Sequence, residues 1–129
     1  MIIRSLLITT FASFLFGCSS YAEKVVTPTV TVKQVGNCAR ALGQGNADSI
    51  KAIHREGNDL VVSVIASASC GGLVADSPQV IFKGKSADLS WIWTNPDDGP
   101  LAACLCFRQL EFKVTGAPNY VTEATAKSR

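Results

Sequence analysis

Cys104-Leu105-Cys106 is the spacing with the most chemistry in this chain. Residues two apart on an extended strand point the same way, with α-carbons near the upper limit of disulfide reach. A bond between these two would be strained, so each thiol is expected to pair elsewhere. Cys70 ends an apolar alternation in phase with the same core, and Cys38 sits in a glycine-rich loop. The reading is a disulfide framework of Cys38, Cys70, Cys104 and Cys106, with Cys70 joined to Cys104 or Cys106 and Cys38 to the other. Two chemistries compete with it. Thiolates of Cys70, Cys104 and Cys106 could capture Cu(I) or Zn(II), and a strained cysteine pair could be redox-active. No Cys-x-x-Cys pair occurs, which weighs against both. No metal or cofactor is assigned.

The other reactive residue types are sparse. His54 is the only histidine, beside Arg55 and Glu56, and neither a Gly-x-Ser-x-Gly elbow nor a His-Glu-x-x-His helix accompanies it. It reads as an exposed polar residue. Asp97 and Asp98 lie between Asn95-Pro96 and Gly99-Pro100, the composition of a tight turn and not of a calcium loop. Trp91 and Trp93 share one strand face, where indoles either build a stacking platform or pack in the core. Arg108 interrupts the apolar side of a strand and is read as the point where that face meets solvent or a partner. The candidate binding patch is therefore Trp91, Trp93, Asn95, Asp97, Asp98 and Arg108. No catalytic residue is assigned, and the chain is not expected to be an enzyme.

These residues must be carried by strands. From Cys104 to Thr115 the chain alternates: Cys104, Cys106, Leu110, Phe112 and Val114 on one side, Gln109, Glu111, Lys113 and Thr115 on the other. Leu60, Val62, Val64, Ala66 and Ala68 give the longest apolar alternation, a central strand whose small residues leave room for something bulky opposite. Val30–Val35 is β-branched and fits a sheet edge. Residues 49–55 form the first arm of a hairpin turning at 56–59, with a short helix near 48–56 as the alternative. Residues 80–82 and 89–94 are further strands, 36–48 and 73–79 are loops, and 120–129 is polar and frays. This pattern predicts an all-β, disulfide-stapled antiparallel sandwich, with a small barrel as the alternative.

The chain has 129 residues, and its start is not part of that domain. A basic Arg4 precedes an uncharged apolar run, Ser5 to Phe16, too short to span a membrane and suited to secretion. Leu15-Phe16-Gly17-Cys18 resembles a bacterial lipobox, with Cys18 lipidated, although Phe16 fits its slot poorly; cleavage after Ala22 by an ordinary signal peptidase competes. The expected division is signal 1–22, linker 23–29, β domain 30–121 and polar tail 122–129. The formal charge of +2 falls to +1 when Arg4 is removed, and no basic block exists, so no nucleic-acid partner is expected.

The motif Ala103-Cys104-x-Cys106, then Leu110-x-Phe112-x-Val114-x-Gly116, with an upstream strand ending in Cys70-Gly71, resembles a loose group of small bacterial envelope lipoproteins. The resemblance spans about half of the mature chain. It implies a β-sandwich on the periplasmic face of the outer membrane, or soluble in the periplasm or secreted if the lipobox is not used. It brings no activity. The expected function is a small exported binding module for a protein or envelope component, of the kind used as inhibitors or immunity proteins. The alternative is a periplasmic metal or thiol-redox protein.

Overall fold

A computed structural model describes residues 28–39, 48–101 and 104–129, with 37–39 described by backbone only. Seven strands follow in order: β1 (Thr29–Ala39), β2 (Ser49–Glu56), β3 (Asp59–Ser69), β4 (Val74–Lys83), β5 (Ser86–Thr94), β6 (Leu105–Thr115) and β7 (Glu123–Ser128). They form a four-stranded sheet, β1-β6-β3-β2, packed on a three-stranded sheet, β4-β5-β7. The described residues are 71% strand with no helix, and the two sheets do not close into a barrel, so both the helix near 48–56 and the barrel are ruled out.

The pairing follows the alternations. In β3 and β6 the inward residues meet as Leu60–Val114, Val62–Phe112, Val64–Leu110, Ala66–Arg108 and Ala68–Cys106. These residues are buried, and they receive Leu89 and Trp91 from β5. Trp91 lies against Phe112 with ring centroids 5.5 Å apart. β1, as expected, is an edge strand, antiparallel to β6.

Two hairpins have two-residue turns that begin on glycine. Glu56 pairs with Asp59 around Gly57 (φ 62°), and Lys83 pairs with Ser86 around Gly84 (φ 57°). A positive φ at that position matches the twist of the flanking strands and costs glycine little.

Three sequence expectations are corrected. The loop expected at 36–48 starts later, because β1 continues to Ala39, which pairs with Phe107. Residues 73–79 are not all loop, because β4 begins at Val74. Asp76, Ser77 and Pro78 lie within the strand as an irregularity between Asp76 and Gln79, with Ser77 at φ 49°. Nor does the chain fray after Tyr120. In place of a polar tail at 122–129, β7 runs parallel to β5 from Glu123–Ser86 to Ser128–Trp91, and the Arg129 N–H donates to the Trp91 carbonyl at 2.7 Å. Arg55 holds the connection that makes this possible. Its guanidinium donates to the carbonyls of Ala117 (3.0 Å), Val121 (3.1 Å) and Pro118.

Candidate functional site

The strands bring most of the expected patch to one end of the sandwich, opposite the β2–β3 turn. There Cys70, just after β3, is bonded to Cys104, just before β6, with α-carbons 5.4 Å apart and a sequence separation of 34. The Cys70 N–H also donates to the Cys104 carbonyl at 2.7 Å. Cys106 is buried and disulfide-bonded too. The expected partner, Cys38, has a side chain outside the described residues, as do Cys18 and the whole signal segment. A disulfide sulfur offers no thiolate, so Cys70, Cys104 and Cys106 as found cannot form the copper or zinc site considered above. Among the described residues no group of three His, Cys, Asp or Glu side chains is placed to hold a metal ion.

Arg108 is the largest departure from expectation. It does not reach solvent, being only 3% exposed. The small Ala66 opposite it in β3 leaves room for the long side chain. Its guanidinium donates to three carbonyls of the turn that follows β3: Ser69 (3.1 Å), Gly71 (2.8 Å) and Leu73. Its ζ-carbon lies 5.5 Å from the ring centroid of Trp93, a cation–π arrangement. Among the described residues no carboxylate neutralises it, and burial pushes its pKa below the ordinary arginine value. Arg108 is thus a bracket beneath the disulfide turn and not a contact residue.

The two tryptophans divide. Trp91 is fully buried, and its Nε1 has no partner among the described residues. Trp93 is partly buried, edge-on to Trp91 at 5.9 Å and stacked on Arg108. A two-indole platform does not exist, and only Trp93 reaches the surface.

The loop after β5 is braced from within. Asn95 Nδ2 donates to the Gly99 carbonyl at 2.8 Å, and the Asp98 N–H to the Asn95 carbonyl at 3.3 Å. Asp97 lies against the disulfide turn: a Cβ placed on Gly72 would be 3.8 Å from its Oδ2, and one on Gly71 would be 3.9 Å from Leu101 Cδ2. Leu101 is 49% exposed and Leu105, beside the disulfide, is 50% exposed. Sequence reasoning missed both leucines, since exposure of a lone leucine leaves no periodic trace.

Elsewhere the ionisable groups decorate sheet faces. His54 Nε2 and Glu56 Oε1 are 3.1 Å apart and both exposed, and that hydrogen bond holds the Glu56 carboxyl below its usual range. A polar groove of about 600 Å³ on the outer face of the larger sheet is lined by Thr31, Lys33, Glu56, Glu111 and Lys113. Lys33 pairs with Glu111 at 3.1 Å, and Lys113 with Asp59 at 3.5 Å. These are solvated pairs of small energetic weight. Compared with family models, with curated proteins and with solved structures, the chain matches none.

Proposed function

We propose that the protein is a non-enzymatic binding module of the bacterial cell envelope, and that the disulfide end is its recognition surface. The observation that carries this reading is the construction of that end. A disulfide, a buried arginine donating to three carbonyls and an internally bonded loop hold Leu101 and Trp93 at the surface. A rigid frame that presents apolar groups loses little entropy on binding.

The anchor belongs to this proposal. β1 starts at the end of the sandwich opposite the disulfide, where Thr29 pairs with Thr115. A chain lipidated at Cys18 and tethered through residues 19–28 would turn the disulfide end away from the membrane, toward a partner in the periplasm. An inhibitor or immunity-type role fits such a pole.

The test uses envelope extract and the purified mature chain. Leu101→Ser should weaken capture of the partner by about tenfold, as for a moderate hot spot. Its melting temperature should stay at the wild-type value, because Leu101 is outside the core. Unchanged capture by Leu101→Ser would remove the disulfide end from the proposal. Cys18→Ala should release the chain from membranes or leave its precursor uncleaved; a wild-type chain with no acyl group and a free Glu23 amino terminus would refute the anchor.

A further inference from the structure

Six large apolar side chains are exposed among the described residues, and three of them, Val74, Leu101 and Leu105, belong to the disulfide end. Val74 starts β4 opposite Thr94, the last residue of β5. Leu105 starts β6 opposite Ser69, next to the bonded Cys104. Leu101 lies beside Gly71, where an added Cβ would sit 3.9 Å from its Cδ2. Apolar groups concentrated at one end of a small domain mark a contact surface, whereas scattered single ones do not.

The turn 70–73 and the loop 95–103 contain two charged residues, Asp97 and Asp98, and both are acidic. Both are exposed, and among the described residues neither is ion-paired. Asp97 and Leu101 flank one dipeptide: a Cβ placed on Gly72 would be 3.8 Å from Asp97 Oδ2, next to the glycine that Leu101 faces. Two arginines lie toward this end, and backbone carbonyls engage both of them. Arg108 is buried and donates to Ser69, Gly71 and Leu73, while Arg129 donates to Ser77. On the outer face of the larger sheet, by contrast, charges are met within the chain, Lys33 by Glu111 and Lys113 by Asp59.

We propose that the disulfide end takes a basic protein surface: a partner that sets an apolar group against Leu101 and lysine or arginine side chains against Asp97 and Asp98. This rests on the reading of that end as the recognition surface, and names the chemistry it recognises. An acidic partner would bring like charges against two unpaired carboxylates, which is repulsive. An uncharged one would strip water from them with no ion pair in return. A basic one is attracted from a distance, so the two acids act chiefly on the rate of encounter.

Surface plasmon resonance on the purified mature chain tests this with a defined probe. The probe is an amphipathic peptide with a leucine face and lysines on its polar face, run beside the same peptide with glutamates for lysines. The lysine peptide should bind and the glutamate peptide should not. Asp97→Asn with Asp98→Asn should lower the association rate about tenfold and flatten its dependence on salt. Glu123→Gln removes an exposed carboxylate at the opposite end, where Glu123 pairs with Ser86, and should leave the rate unchanged. Leu101→Ser should speed dissociation and leave the salt dependence intact. If the double variant melts early, Asp98→Asn alone carries the test, since asparagine tolerates the positive φ of 47° at that position. Equal binding of the two peptides, no binding of the lysine peptide, or the same loss from Glu123→Gln overturns the proposal. If Leu101→Ser weakens binding and the aspartate variants do not, the charge preference falls and the recognition surface stands. An unchanged dissociation rate for Leu101→Ser removes the surface itself.

Discussion

A buried guanidinium can be held by carbonyl dipoles and an aromatic face, and Arg108 has both. Replacing it with Met removes donors from Ser69, Gly71 and Leu73 and ends the contact with Trp93. Charged hydrogen bonds of this kind contribute about 1.5–3 kcal/mol each, but water can reach part of the turn, so a net loss of about 3 kcal/mol is expected in urea unfolding. Arg108→Lys should recover only a minor part, since one ammonium cannot reproduce the planar fork. The sequence revealed that Arg108 breaks an apolar alternation, and that small residues in the facing strand leave space. It did not reveal that the space is filled by the arginine itself, because the carbonyl acceptors belong to a turn set by tertiary closure.

Asp88 gives a pH prediction at the same scale. The Thr125 hydroxyl donates to its Oδ1 at 2.8 Å, and Lys83 lies 3.4 Å from its Oδ2. With help from Ser86, and against the opposing effect of desolvation, these contacts hold its carboxyl below the ordinary aspartate value of 3.8. The depressed value means that the contribution is fully present above the unfolded-state pKa and is lost as pH falls through the folded-state value. Stability measured in acid should therefore fall less steeply for Asp88→Asn than for the wild type. Parallel curves through that window would contradict the assignment.

At the scale of elements, the strong alternations of β3 and β6 were legible because Leu, Val and Phe repeat with a period of two. The glycine turn at 56–59 was legible for a backbone reason, since glycine takes a positive φ at little cost. β7 was not: Glu-Ala-Thr-Ala-Lys-Ser places only Ala124 and Ala126 inward, too small for a hydrophobic signal, and its support comes from Arg55 far away in sequence. The start of β4 was hidden by Asp76-Ser77-Pro78, which read as a turn and fold as an irregularity within the strand. β7 nonetheless covers one side of β5, the strand that carries both tryptophans. A chain ending at Thr122 should lose cooperative unfolding or become insoluble, as judged by a thermal melt. A sharp melt at the wild-type temperature would show that β7 is dispensable.

At the scale of the molecule, a small sandwich is stapled where its two sheets exchange chain. The Cys70–Cys104 bond, with a sequence separation of 34, encloses all of β4 and β5. Closing a loop of that size in the unfolded chain corresponds to about 4 kcal/mol, so Cys70→Ser should lower the melting temperature sharply under non-reducing conditions. The same bond keeps the turn over Arg108 and the loop at Leu101 in place, which joins stability to the proposed binding surface. A photo-crosslinking amino acid placed at Leu101, and separately at the 59% exposed Ile81 on the outer face of β4, tests that claim most directly in the intact envelope. The account predicts a discrete adduct with a partner from position 101 and none from position 81. An adduct from 81 alone, or none from 101, would contradict it.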